Sequence, residues 1–298
     1  MKRILITGAN SYIGTSFENY MSQFGSDYQI ETIDMRGEDW KKADFSGFDS
    51  IIHVAGIVHV KEKNEGLYYQ VNRDLAFETA KKAKSDGVNQ FIFFSSMSVF
   101  GMDTGVITDK TKPNPKTPYG KSKLAAEGLL KELESKSFRI CILRPPMIYG
   151  PNSVGNYPRL AKLAKKIPVF PKVNNQRSML YIDNLSAFLK LMVDTNLSGI
   201  FHPQNDEYVN TSEMVKIIAE VNGKRIFLVP GFNSLIKVAS IQSGLLRKVF
   251  GSLVYYSDTE GFPQSTSNNV FLDYQDKTFI ESISHSENSF ESSEKVEL

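Results

Sequence analysis

One cysteine, one tryptophan and four histidines in 298 residues leave little material for disulfide or metal chemistry. Cys141 lies in the apolar run 139–143, so an intramolecular disulfide framework and a cysteine-based zinc site are both excluded, and the thiol reads as a small buried hydrophobe. No group of His, Cys or carboxylate residues has metal-ligand spacing, and no metal is expected. Charge of one sign is also scarce: 35 Lys and Arg against 33 Asp and Glu leave +2, too little for a nucleic-acid-coating or polybasic membrane protein unless the charge is segregated. No apolar run reaches the roughly 18 residues of a spanning helix. The nearest, 234–256, is interrupted by Lys237, Arg247 and Lys248. The first apolar run ends at Thr7-Gly8, too early for a secretion signal, and the chain reads as cytoplasmic.

Runs of β-branched and aromatic residues alternate with amphipathic stretches through the first half. That pattern predicts a doubly wound α/β fold of Rossmann type, with a parallel sheet. Strands are expected at 3–7, 29–34, 50–55, 90–95 and 138–143, and helices at 13–24, 67–86 and 118–137. After Arg144-Pro145-Pro146 the pattern changes to short helices at 157–166, 183–194, 211–221 and 232–250, separated by irregular segments. Residues 1–155 therefore read as a dinucleotide-binding domain, to which 178–205 return through strands at 178–182 and 199–202. Residues 156–177 and 206–280 read as a smaller substrate lobe. Leu235, Val238, Ile241, Leu245 and Val249 have helical spacing and are expected to pack on that lobe, with docking on a membrane or partner left open. The stretch 281–298 holds five Glu, six Ser and one Lys and reads as a disordered acidic tail, which leaves the rest of the chain near +6.

The first strand runs into Thr7-Gly8-Ala9-Asn10-Ser11-Tyr12-Ile13-Gly14 and then a helix, the setting of a phosphate-binding turn. Twenty residues past Gly14, Asp34 ends the second strand, where a carboxylate binds an adenosine ribose diol. Asp34 favours NAD, while Arg36, positioned to meet a 2′-phosphate, leaves NADP open. Tyr119 and Lys123 stand four residues apart at the start of a helix, on one face. An ammonium there favours a tyrosinate and makes the phenol a usable acid or base. Ser95, Ser96 and Ser98 follow the fourth strand at the edge where open α/β sheets bind ligands.

Together with His53-Val54-Ala55-Gly56, Asn72, Gly101 and the block Arg144-Pro145-Pro146-Met147-Ile148-Tyr149-Gly150-Pro151, these motifs stand in a familiar order. Over about residues 1–280 the chain resembles the extended short-chain dehydrogenases/reductases that act on nucleotide sugars. The resemblance implies that Ser96 is the catalytic hydroxyl, Tyr119 the general acid/base, and Lys123 its pKa-lowering, ribose-binding partner. It implies cofactor contacts at Gly8, Asn10, Ser11, Tyr12, Ile13, Gly14, Asp34, Met35, Arg36, Val54, Ala55, Gly56, Asn72, Tyr119, Lys123 and Pro146, with Asp44 and Phe45 placed near the adenine. It implies substrate contacts at Ser96, Ser98, Tyr119, Asn156 and Arg177, the last toward a diphosphate. Ser11 replaces the middle glycine of the turn, and the segment between the second and third strands is abbreviated.

Within that family the chain looks most like capsule and O-antigen enzymes that use NAD(P)H to reduce the C4 ketone of a UDP-2-acetamido-2,6-dideoxyhexulose. UDP-hexose 4-epimerases with tightly bound NAD are the alternative, and a nucleotide sensor without activity is a third class, disfavoured by the retained tyrosine. The partners implied are a UDP-sugar and a second copy of the chain in a homodimer, with no nucleic acid. His53, ending a buried strand, is expected to be packed and hydrogen-bonded, and His59, in the loop that follows, is disfavoured as a sugar contact.

Overall fold

The computed structural model describes residues 1–58, 64–256 and 274–294, so His59 lies outside the described residues. The chain begins β1 (Lys2–Thr7), α1 (Tyr12–Met21), β2 (Tyr28–Ile33), β3 (Ser50–His53), α2 (Glu65–Tyr69), α3 (Leu75–Ser85), β4 (Gln90–Phe94) and β5 (Gly105–Ile107). It continues α4 (Pro118–Glu132), β6 (Arg139–Leu143), β7 (Met147–Tyr149), α5 (Asn156–Ala164), β8 (Val169–Pro171), β9 (Met179–Tyr181), α6 (Ile182–Thr195) and β10 (Gly199–Phe201). It ends α7 (Thr211–Val221), β11 (Phe227–Val229), α8 (Asn233–Gln242), α9 (Gly244–Phe250), β12 (Leu253–Tyr255) and α10 (Phe279–Glu294).

Six strands form one parallel sheet in the order β10-β6-β4-β3-β1-β2. Both faces are covered, which is why these strands read as nearly unbroken apolar runs. Alternate residues feed opposite layers of the core. Ile4, Ile6, Ile52, Ile92, Phe94, Cys141 and Leu143 face a cluster with Phe17, Leu185 and Phe188 from α1 and α6. Leu5, Ile51, Phe91, Phe93, Ile140 and Ile142 face Ala76, Ala80, Ala126 and Leu130 from α3 and α4. This is the Rossmann-type α/β fold. Strand order reverses between β1 and β3, the position where such sheets take ligands. Between β2 and β3 the short segment forms only a 3₁₀ turn, Asp39–Lys42, that buries Trp40.

Several expected boundaries move. The helix expected over 67–86 is interrupted by a π turn at Gln70–Asp74. The helix expected over 232–250 breaks at Ser243, whose extended backbone separates α8 from α9. Of the two returning strands, β10 joins the main sheet beside β6, whereas β9 pairs with β7 outside it. No helix among the described residues is long and apolar enough to cross a membrane.

The acidic tail needs the largest correction, because residues 279–294 form α10 and Ser282, Ile283, Ser286 and Glu287 are buried. Glu287 accepts from Tyr157 Oη at 2.8 Å and Asn222 Nδ2 at 3.0 Å, and pairs with Lys165 Nζ at 2.9 Å. Ser282 Oγ meets Tyr149 Oη at 2.7 Å. Composition counts Ser and Glu as solvating. Here the serines are small enough for close packing and the carboxylate is neutralised by a partner 122 positions earlier in the numbering.

Candidate active site

β1 delivers Gly8 to the carboxyl edge of the sheet beside the exit of β3. Gly8 has φ +132°, and a Cβ there would stand 2.8 Å from Ala55 N, so the close approach requires glycine. Ser11 caps α1: its Oγ accepts from Gly14 N at 3.2 Å. A serine in the place of glycine thus orders the helix whose first-turn N–H groups face the sheet edge. Asn10 adopts φ +60° in the turn. Ile13 packs its side chain on the core, and Tyr12 lies against Gly150, its buried hydroxyl without a partner among the described residues.

Asp34 and Arg36 grip each other: Arg36 Nη2 reaches Asp34 Oδ2 at 2.6 Å, and Arg36 Nε reaches the same oxygen at 2.9 Å. This pairing holds the Asp34 carboxyl down at about 2. The two residues expected to choose between a ribose diol and a 2′-phosphate are therefore one exposed unit. Met35 is corrected, because its side chain turns into the core beside Trp40 and only its backbone remains at the rim. Phe45 is corrected as an adenine contact, being fully buried with Lys82 Nζ 4.8 Å above its ring. Asp44 folds back onto Ser46, accepting from its N–H at 2.8 Å.

The opposite wall is the exit of β3. Val54 and Ala55 donate their N–H groups to Thr7 O, at 3.1 and 2.9 Å, and leave Gly56 exposed. Asn72, carried on the π turn, binds Ile57 N and O at 2.9 and 3.0 Å and Ser122 Oγ at 3.2 Å. Its side chain is fully buried, so it positions this wall and presents no free group to a cofactor, a correction of the expected contact. A Cβ on Gly56 would stand 3.0 Å from Asn72 Oδ1 and 3.2 Å from Lys123 Nζ. The glycine-lined passage from Gly8 to Gly56 ends at a buried ammonium that lies 4.7 Å over the Phe93 ring. These residues fit a dinucleotide, with room where side chains would intrude and cationic and N–H donors beside it. Pro146 is buried just past β6.

Ser96 caps the 3₁₀ turn Met97–Phe100, and its Oγ accepts from Ser98 N at 3.1 Å. Gly120 lets α4 lie against that turn, since a Cβ there would be 2.6 Å from Ser98 O. The approach brings Tyr119 beside Ser96. Burial pushes the Tyr119 phenol up, the Ser96 hydroxyl opposes this, and nearby Tyr68 adds to the rise. Burial pulls the Lys123 amine down to about 7, with Glu127 opposing. Burial is the largest influence on both groups.

Sequence reasoning missed Glu127, one helical turn beyond Lys123. It accepts from Arg144 Nε at 2.9 Å and Arg144 Nη2 at 2.6 Å, and from Ser95 Oγ, all buried. This network ties α4 to the exits of β4 and β6. It also missed Tyr68, whose ring meets Tyr119 edge-on at 6.4 Å. The i,i+4 spacing of Glu127 from Lys123 was a usable signal, whereas nothing set Tyr68 apart among thirteen tyrosines.

Asn156 and Arg177 come together, as both line one narrow cleft of about 20 Å³, with Leu160, Met179, Thr211 and Lys248. Arg177 Nη1 donates to Gly251 O at 2.8 Å, and burial lowers its pKa. Lys248 was legible only as part of an amphipathic stretch. His53 is buried, with Nδ1 2.8 Å from Thr7 Oγ1 and its pKa drawn down to about 3 by burial, as expected of a packed residue.

Residues 4–202 match the model of the NAD dependent epimerase/dehydratase family. The chain is 29% identical over 258 residues to a UDP-glucose 4-epimerase of Vibrio cholerae, covering 77% of this chain and 78% of that one. It is 22% identical over 289 residues to a GDP-6-deoxy-D-mannose reductase of Pseudomonas aeruginosa, covering 88% and 91%. A solved structure of dTDP-4-dehydrorhamnose reductase from Bacillus anthracis, in complex with NADP, superposes with a TM-score of 0.71 at 22% identity, covering 98% of this chain and all of the other.

Proposed function

The chain belongs to the NAD dependent epimerase/dehydratase family, with NAD or NADP as its cofactor, and on that premise we propose that it is a C4 ketoreductase of nucleotide sugars. The substrate is a UDP-2-acetamido-2,6-dideoxyhexulose and the product UDP-N-acetylfucosamine or UDP-N-acetylquinovosamine. The observation that carries this reading is Tyr119, its phenol pushed up by burial, beside Ser96 at the carboxyl edge of the sheet.

Reduction of a ketone needs a proton at the oxygen as negative charge develops there. A phenol held protonated by burial supplies it, and Ser96 holds the oxygen in line by hydrogen bonding. The bound dinucleotide supplies the hydride. Lys123, poised near neutrality, binds the ribose and offers positive charge to the phenolate left after transfer. Asn156, Arg177 and Lys248 contact the diphosphate at the mouth of the narrow cleft between α5 and α9. Glu127 and Arg144 keep the two catalytic segments in register.

A second reading, 4-epimerisation of a UDP-hexose, is favoured by the Vibrio cholerae relative and uses the same residues. The purified protein incubated with UDP-N-acetylglucosamine or UDP-glucose, with no cofactor added, separates the two. The ketoreductase forms no C4 epimer and consumes NAD(P)H only when a 4-keto sugar is present. Accumulation of the epimer under those conditions overturns the proposal in favour of the second reading.

A further inference from the structure

The smaller lobe carries a ribbon whose outer face the fold does not use. β8 and β11 pair in parallel, with Val169 opposite Phe227 and Pro171 opposite Val229. Between them, Phe170 is buried and meets the Phe250 ring at 5.9 Å, and Leu228 packs toward the same core. By the period of two, Val169, Phe227 and Val229 stand on the other side, 52, 69 and 37% exposed. The chain continues through exposed Phe232 into α8, whose Val238 and Ile241 are 64 and 73% exposed, so the stripe expected to pack on the lobe faces out at both positions. Single exposed apolar residues are ordinary, but a run of them on adjoining elements marks a contact surface.

The segments that build this surface carry cations and no acid along the chain. Segments 135–182 and 221–257, which supply both ribbon strands and α8, contain no Asp or Glu and fourteen Lys or Arg. Those 85 residues hold +14 and the remaining 213 hold −12, a division hidden by the net +2. Lys166, Lys224 and Arg225 are exposed at the entry end of the ribbon. Exposed Lys172 marks the exit, where its N–H donates to Val229 O at 2.8 Å.

We propose that this face seats the protein on an anionic phospholipid surface. The ribbon and α8 enter the headgroup boundary, and the flanking lysines and arginine take lipid phosphates. A second copy of the chain is disfavoured as occupant, because a two-fold contact through this face sets one cationic rim against its twin. The inference stands on surface chemistry and is independent of which sugar reaction the site performs.

The full-length protein is sedimented with vesicles of equal parts phosphatidylglycerol and phosphatidylcholine, and with phosphatidylcholine vesicles alone. Binding to the anionic vesicles is expected to exceed binding to the neutral ones by about tenfold or more, and to fall at high salt. Val169→Ser with Phe227→Ser, and separately Lys224→Glu with Arg225→Glu, are each expected to cut that binding about tenfold while turnover of soluble substrate and the thermal midpoint stay unchanged. Equal recovery in both supernatants, or binding that neither pair of substitutions weakens, overturns the proposal. So does a dimer, measured by light scattering, that either pair disperses.

Discussion

Up to Leu143, the chain is held by alternating apolar side chains on strands that follow one another across the sheet, whereas beyond Arg144 it is closed by polar tethers between distant segments. Tyr157 reaches Glu287, Tyr149 reaches Ser282, and Asn184 receives the N–H groups of Asp276 and Lys277 at 2.9 Å. Apolar alternation writes itself into the local sequence, because each strand must bury both faces wherever its neighbours lie. A polar tether is written as two ordinary residues far apart, and neither announces the other. The proposed site spans the seam: Ser96, Tyr119 and Lys123 come from the first region, and Asn156, Arg177 and Lys248 from the second.

The sharpest way to test the first region is to remove its proposed proton donor. Tyr119→Phe should lower kcat by about 10³-fold while leaving dinucleotide affinity within a few-fold, since it deletes one acid and no packing. A smaller loss measured in steady-state turnover would move the proton to another group.

Next come the tethers. Glu127→Ala leaves Arg144 buried and unpaired and should cost about 3–5 kcal/mol in denaturant unfolding, with Glu127→Gln costing less. Glu287→Ala should cost about 3 kcal/mol by the same logic in the second region, because Lys165, Tyr157 and Asn222 lose their shared acceptor. If it costs no more than a surface substitution, α10 is an ornament and the contrast between the regions fails.

Lys123 gives an effect of opposite sign. Its folded pKa, about 7, lies below its unfolded value, so between these two the unfolded chain binds more protons. Cofactor-free stability should therefore rise from pH 7 toward pH 10 by this contribution, at about 1.4 kcal/mol for each pH step of one. Lys123→Met should raise the thermal midpoint near pH 6 and abolish turnover, and a midpoint that falls there would contradict the burial argument. The smallest effect belongs to Arg36→Ala. Freeing Asp34 from its partner should favour NAD over NADP by roughly tenfold in kcat/KM, comparable to loss of a charge-assisted contact.

The sheet, its alternating core and the glycine turn were all legible, because each depends on short-range spacing. Three things were not. α10 looked like solvent-loving tail because the partners of Ser282 and Glu287 lie more than a hundred residues earlier. Phe45 looked available to adenine because nothing local shows that the abbreviated segment turns it inward. Tyr68 went unnoticed because an edge-on ring contact with Tyr119, fifty-one residues later, leaves no local spacing in the sequence.

The most direct measurement follows the hydride to its carbon. Dinucleotide carrying deuterium at C4 of the nicotinamide is supplied with a UDP-linked 4-keto-6-deoxy-N-acetylhexosamine, and the product is read by NMR. The account predicts one deuterium at sugar C4 per dinucleotide oxidised, with transfer slowed about 10³-fold in Tyr119→Phe. Absence of label from C4 in the wild-type product, or labelling undiminished in Tyr119→Phe, would contradict it.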